Sequence, residues 1–238
     1  MLTISAWMRF DEIRRGFSAV KPRNVLEIGA GQGGLGAWIA QRYGYVGYEP
    51  DAESRAVAAG RVATNAGARV VSDLDGSWVE DFDLVCAFEV LEHIEHDGSA
   101  LDDWHHLIAP GGYLLLSVPA HSARYSTSDA YVGHFRRYDV AQLRATLEDH
   151  GFSVVRASSY GFGLGHLIEA ARNVILRRRP PPRNKEQGTA MSGRLFQPGR
   201  RTQAIVNYLI AAPFRAIQLP FVRTDTGTGY VVLAQRTS

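Results

Sequence analysis

Asn24-Val25-Leu26-Glu27-Ile28-Gly29-Ala30-Gly31-Gln32-Gly33-Gly34 is the stretch from which the fold is read. Val25, Leu26 and Ile28 form a short apolar, β-favouring run that stops at four glycines, and Ala37-Trp38-Ile39-Ala40 opens a pattern with helical spacing. Strand, tight glycine turn and helix is the order this predicts. Glycine admits positive φ and removes the side chain that would hold a ligand off the backbone. A helix start beyond the turn offers unpaired N–H groups. A ligand is therefore expected on this loop.

Outward from the loop, the chain alternates strands and helices. A helix is expected over about Ser5 to Ala19, either capping the ligand pocket or covering one sheet face. Strand two ends at Glu49-Pro50-Asp51, where Pro50 stops the strand and Asp51 caps a helix from Ala52 to Asn65. Strand three is Arg69 to Val71, followed by Ser72-Asp73-Leu74. Strand four, Asp83 to Phe88, is apolar enough to be buried on both faces and runs into Glu89-Val90-Leu91-Glu92-His93. Ala109-Pro110-Gly111-Gly112 is read as a turn before strand five, Tyr113 to Pro119. Asp139 is expected to cap a helix ending at Gly151, with strand six at Phe152 to Val155 and a last strand at Gly229 to Ala234.

Gly29, Gly31 and Gly34 satisfy G-x-G-x-x-G, and Glu49 follows 20 residues beyond Gly29, a pattern that also fits dinucleotide sites. Glu27, two residues before the first glycine, adds an acid that a pyrophosphate ligand does not call for. E-x-G-x-G-x-G, the acid ending strand two, the Glu89 to His93 turn and the Pro110-Gly111-Gly112 strand-five entry together resemble the class I S-adenosylmethionine (SAM)-dependent methyltransferases over roughly residues 20–160. The resemblance implies an α/β fold with a doubly wound, mostly parallel seven-stranded Rossmann-like sheet and an antiparallel last strand. It implies that Glu27, Gly29, Ala30, Gly31, Gly33, Glu49, Pro50, Asp73, Leu74, Phe88 and Glu89 line the SAM site. Glu49 would accept from the ribose hydroxyls and Asp73 from the adenine amino group. The competing class is a NAD-dependent oxidoreductase, and a third is a SAM binder without turnover.

Methyl transfer from a sulfonium is an in-line displacement whose product is S-adenosylhomocysteine, so the protein's task is to place the acceptor. A hydroxyl acceptor also needs a base, and His93, His121 and His134 stand at or beyond expected strand ends. His93 and His134 are the catalytic candidates. Glu89, Glu92 and His93 fall at i, i+3 and i+4, one face of a helical turn. With His134 they resemble the metal motif of small-RNA 3′-terminal 2′-O-methyltransferases and ubiquinone-pathway O-methyltransferases. That resemblance implies a divalent cation, Mg²⁺ or a borderline ion. The run Glu89-Val90-Leu91-Glu92-His93 also resembles many methyltransferases without metal. Arg136 and Arg137 are either a solvated pair or a site for an anionic acceptor.

The whole chain, 1–238, reads as one domain, with residues 1–19 as a cap helix and 162–226 as a helical, basic insertion before the last strand. The net charge of +2 conceals a split. Residues 1–171 hold 14 Lys/Arg against 22 Asp/Glu, net −8, and residues 172–238 hold 12 against 2, net +10. Leu164, Leu167, Ile168, Ala171, Val174 and Ile175 form a helical apolar stripe, followed by Arg177-Arg178-Arg179, and Ile205 to Ile210 suggest a second amphipathic helix. Residues 164–221 would lie on an anionic membrane surface, close over the substrate as a lid, or join two copies as a homodimer. Few aromatics interleave the arginines, which speaks against nucleic acid. A single cysteine, Cys86 in strand four, and no signal peptide suit a cytoplasmic protein, peripheral to a membrane if the insertion binds one. The expected activity is methylation of a small-molecule or lipid- or sugar-linked acceptor on a hydroxyl oxygen, with N- or C-methylation the alternative on the same scaffold.

Overall fold

Val25 and Leu26 are both fully buried yet belong to different hydrophobic clusters, because successive side chains of a strand point to opposite faces. Their strand, β1 (Asn24–Ile28), lies inside a seven-stranded sheet of order β3-β2-β1-β4-β5-β7-β6. The other strands are β2 (Gly44–Tyr48), β3 (Arg69–Val71), β4 (Phe82–Phe88), β5 (Ile108–Pro119), β6 (Phe152–Tyr160) and β7 (Gly229–Arg236). β1 to β5 pair in parallel, and β7 runs antiparallel between β5 and β6. This computed structural model describes residues 4–176 and 212–237. The chain winds outward from β1 to β3, then returns to β4 on the other side of β1. The strand carboxyl ends diverge there, and ligands of open α/β sheets bind in that crevice.

Helices cover both faces. On one lie α1 (Ile4–Val20), α2 (Gly36–Ala40) and α3 (Ala52–Val62), with Met8, Ile13, Phe17, Ile39 and Val62 against Val25, Leu84, Leu115 and Val231. On the other lie α4 (Asp97–Leu107) and α6 (Val140–Asp149), where Leu101, Trp104, Leu143 and Leu147 pack on Leu26, Val85, Leu114 and Leu116. α5 (Thr127–Val132) follows β5. α7 (Leu164–Leu176) and α8 (Ala212–Gln218) lie between β6 and β7. Gln218 joins α8 to its surroundings: its amide donates to the Met8 carbonyl at 2.8 Å and its oxygen accepts from Gly161 N–H at 2.9 Å.

Several local expectations change. The Ala109 to Gly112 stretch is a bulge inside β5, since Phe82 pairs with Ile108 and Leu84 with Tyr113, and Gly111 adopts φ +73 to absorb the excess residues. Asp139 stands at the α6 N-terminus, but its carboxylate accepts from Ser122 N–H at 3.0 Å, tying down the loop after β5 instead of the helix. Asp51 does cap α3, accepting from Ser54 N–H at 2.8 Å. Strand six extends to Tyr160, because its second half pairs with β7 through residues a single-strand pattern does not show. Of the α7 stripe, Leu167, Val174 and Ile175 are exposed. The second amphipathic helix around Ile205 to Ile210 lies outside the described residues.

Candidate functional site

The crevice at the carboxyl ends of β1 and β2 is built by backbone. Gly29, Gly31 and Gly33 all adopt positive φ, +70, +53 and +71. A Cβ on Gly33 would lie 2.8 Å from the Ala58 Cα, so this glycine lets the loop settle on α3. A Cβ on Gly31 would meet nothing within 4 Å; its surroundings are open. Glu49 closes the loop from β2. One oxygen accepts from Gly31 N–H at 2.7 Å and the other from Asp51 N–H at 3.0 Å, with the side chain almost wholly buried. Glu49 thus presents a fixed carboxylate beside the open face of Gly31. Pro50 is exposed beside it, and its carbonyl accepts from Arg55. Ala30 is buried against β2, with its N–H donating to the Tyr48 carbonyl at 2.9 Å.

Glu27, also buried, accepts from the Tyr45 hydroxyl at 2.6 Å. Burial pushes its carboxyl up to about 7, against the Tyr45 hydrogen bond and the nearby Arg9 charge, which pull it down. A cationic ligand group arriving here would favour the ionised form. Asp73 follows β3 and is exposed, accepting from the Ser72 hydroxyl at 2.7 Å, while Leu74 packs against the core beside it. Phe88 is buried at the end of β4.

Beyond Phe88 the backbone turns left-handed at Glu89, φ +58, before the short 3-10 turn Leu91–His93. That turn separates Glu89 from Glu92 and His93, and the three do not share a helical face as their spacing suggested. The Glu89 carboxylate instead accepts from Ser117 on β5 at 2.8 Å and Tyr160 on β6 at 2.9 Å, with the Arg9 guanidinium 3.8 Å away. Burial raises its carboxyl, but Arg9 and the two hydroxyls outweigh that and hold it below the ordinary range.

Glu92, His93 and His134 do come together, with one ligand-capable atom from each lying within 4.8 Å of the others. Phe135 N–H donates to the Glu92 carbonyl at 2.8 Å, which brings the later histidine to the turn, and the two imidazoles meet edge to face at 4.6 Å. Glu92 is fully buried and neither of its carboxylate oxygens has a hydrogen-bond partner among the described residues. Desolvation and the nearby Glu89 charge keep it protonated well above the carboxylate range. Burial and His134 lower His93 to about 4, so it is neutral at physiological pH.

His134 is oriented from behind. Its Nδ1 lies 2.9 Å from Asp129, which the Arg137 guanidinium grips twice, at 2.9 and 2.8 Å. Although burial opposes it, these bonds hold the Asp129 carboxyl well below its usual range, so it only accepts. An ionised Asp129 thus orients His134 by accepting from Nδ1–H, and Nε2 lies 3.8 Å from Glu92. Arg137 also pairs with Glu169 on α7, which pairs with Arg124. Arg136 pairs with Asp97 at 2.5 Å. Both arginines of the Arg136-Arg137 pair are thus engaged by acids of the protein, Arg137 buried and Arg136 partly exposed. His121 stands apart from this cluster, its Nε2 3.1 Å from the Gly227 carbonyl.

Sequence reading missed Arg9, Ser117, Asp129 and Tyr160. Asp129 alone carried a local signal, as the third residue after Ser126 in a capping box at the start of α5. The others meet only through the fold, with Tyr160 lying 71 residues from Glu89.

The sheet order, the antiparallel last strand and the glycine loop at the strand-order reversal define the class I SAM-dependent methyltransferase architecture. A family model described as a methyltransferase domain matches residues 8–157, more than half of the chain. The chain belongs to that family and is a SAM-dependent methyltransferase. Among solved structures, a SAM-dependent methyltransferase of Mesorhizobium loti superposes with TM-score 0.60 at 16% identity, covering 98% of this chain and 100% of that one. A protein of Bacillus halodurans C-125 designated a methyltransferase gives TM-score 0.63 at 14% identity over 96% of this chain and 100% of that one. The Burkholderia thailandensis 1,6-didemethyltoxoflavin-N1-methyltransferase, solved with 1,6-didemethyltoxoflavin and S-adenosylhomocysteine bound, gives TM-score 0.58 at 16% identity over 98% and 80%. At such identities the likeness is one of fold. No curated protein matches the chain in sequence.

Proposed function

We propose that this methyltransferase acts on a hydroxyl oxygen of a small or lipid- or sugar-linked acceptor, with His134 as the base. The observation that carries this reading is the Asp129–His134 pair: a histidine whose Nδ1 is held by a carboxylate at 2.9 Å, leaving Nε2 turned away from that carboxylate, 3.8 Å from Glu92. SAM would lie on the glycine loop with its ribose hydroxyls at Glu49, its ammonium towards Glu27 and its adenine near Asp73 and Leu74. Neutral His93 lines the acceptor side without adding charge. His134 Nε2 takes the hydroxyl proton as the oxygen attacks the methyl carbon and the carbon–sulfur bond breaks. The experiment is methyl transfer from labelled SAM to panels of hydroxyl and amine acceptors. His134→Ala should lower kcat by about 10²–10⁴-fold while leaving SAM affinity intact. Transfer confined to amines, with His134→Ala fully active, would overturn it.

A second reading rests on the two partnerless carboxylate oxygens of Glu92. Glu92, His93 and His134 offer one carboxylate and two imidazoles, a donor set suited to a borderline divalent ion more than to Mg²⁺. A bound ion would lower the pKa of a coordinated hydroxyl. Elemental analysis of purified enzyme, beside Glu92→Gln, tests it; equal metal content near zero in both would dismiss it.

For partners, the exposed Leu167, Val174 and Ile175 on α7 support a peripheral contact with anionic lipid or a second copy. Among the described residues no helix is long and apolar enough to cross a membrane.

A further inference from the structure

Four guanidinium groups and three carboxylates meet on the acceptor side of the crevice. Arg9 faces Glu89, Arg137 grips Asp129, and Glu169 lies between Arg137 and Arg124. Each acid is thereby claimed. The fourth guanidinium, Arg172 on α7, lies in the field of Asp129, Glu89 and Glu169, yet it forms no pair with them. Its Nε is buried without a hydrogen-bond partner among the described residues. Among the described residues the cluster thus holds one guanidinium more than these three carboxylates pair with, in a partly desolvated setting, an arrangement that costs stability unless something else satisfies it.

We infer that Arg172 is the anchor for an oxyanion, a carboxylate or phosphate, carried by the methyl acceptor. The inference rests on the methyltransferase site described above and narrows its substrate class to anionic acceptors. Geometry favours the acceptor over the cofactor as the source of that anion. Arg172 projects from α7, the helix joined to α5 through Arg137, which bridges Glu169 and Asp129, and through Ser126 to Asn173 at 2.8 Å. The cofactor loop is built from β1, β2 and α3 instead. An arginine suits the task because its planar fork matches two oxygens of a carboxylate or phosphate at once. Arg136 and Arg137, which the sequence offers for this role, are both engaged by acids of the protein itself.

The test titrates benzoate, phenyl phosphate and neutral benzyl alcohol into the enzyme saturated with S-adenosylhomocysteine, in wild type, Arg172→Gln and Arg172→Lys. Wild type should bind at least one anionic probe in preference to benzyl alcohol, and the preferred one separates carboxylate from phosphate. Arg172→Gln should weaken that probe about tenfold or more, and Arg172→Lys should recover part of the loss. S-adenosylhomocysteine affinity should stay the same in all three, which also shows that the variants fold. Equal anion binding by wild type and Arg172→Gln, or no preference for anions in wild type, would overturn the inference. A loss of S-adenosylhomocysteine affinity in a folded Arg172→Gln would overturn it in favour of a cofactor contact. Failure of wild type to bind S-adenosylhomocysteine would instead bring down the underlying site and this inference with it.

Discussion

The two halves of the crevice are made differently. At β1 and β2 the working surface is backbone: three left-handed glycines, the Gly31 N–H and one carboxylate that closes the loop. At β4, β5 and α7 it is side chains, with Asp129, His134, Arg137, Glu169 and Arg124 drawn into one chain of ion pairs and Glu89 held by Arg9, Ser117 and Tyr160. A backbone cradle suits a ligand that never changes. A side-chain lattice can be rewritten for each acceptor while the cradle stays, because its members lie on separate elements.

If that contrast holds, damage to the acceptor half should reach stability and turnover but spare cofactor binding. Asp129→Ala has the largest expected effect. It leaves the buried Arg137 with one acid fewer and His134 without its orienting partner. Denaturant unfolding should show a loss of about 3–5 kcal/mol. A loss below about 1 kcal/mol would mean the ion-pair chain is incidental.

Glu27 should give a pH signature confined to the cofactor half. Folded, its carboxyl keeps its proton to about 7, whereas its ordinary value is 4.5. The native state therefore binds the extra proton between those values, and its contribution to stability falls as pH rises through that window and is level above it. The full span is on the order of 3 kcal/mol. A SAM ammonium favours the ionised carboxylate, so affinity for SAM should rise from pH 5 to 7. Glu27→Gln should flatten both trends relative to wild type; identical pH profiles would remove Glu27 from the site.

The glycines sharpen the comparison further. Gly33→Ala must push against the α3 backbone in a left-handed conformation, and about 2 kcal/mol of stability should be lost together with cofactor binding. Gly31→Ala has open space around it. It should cost only about 1 kcal/mol in stability, measured by thermal unfolding. Yet it should weaken SAM, because the methyl would stand where the ligand approaches. A Gly31→Ala protein with wild-type SAM affinity would show that the ligand does not lie against this loop.

The same contrast explains what the sequence made legible. Strand, glycine turn and the acid 20 residues on are local features, so the glycine loop and the place of Glu49 at the end of strand two could be read from residues alone, whereas the arrangement of the sheet came from the family resemblance. The Asp51 cap was local too. Arg9, Ser117, Tyr160 and Arg172 acquire meaning only when β4, β5, β6, α1 and α7 converge, and no window of sequence contains that convergence. Glu89 was misplaced for a related reason: its spacing to Glu92 and His93 is helical, but the left-handed backbone at Glu89 breaks the turn before it begins. Arg136 and Arg137 read as either a solvated pair or an anion site because their partners, Asp97, Asp129 and Glu169, come from three other segments.

The most direct test of the cofactor site is calorimetric titration of wild type and Glu49→Gln with SAM, S-adenosylhomocysteine and NAD. Wild type should bind the first two and not NAD, and Glu49→Gln should lose about 1.5–3 kcal/mol of SAM affinity through the weakened ribose hydrogen bonds. Binding of NAD in place of SAM, or equal SAM affinity in the two proteins, would contradict the site described here.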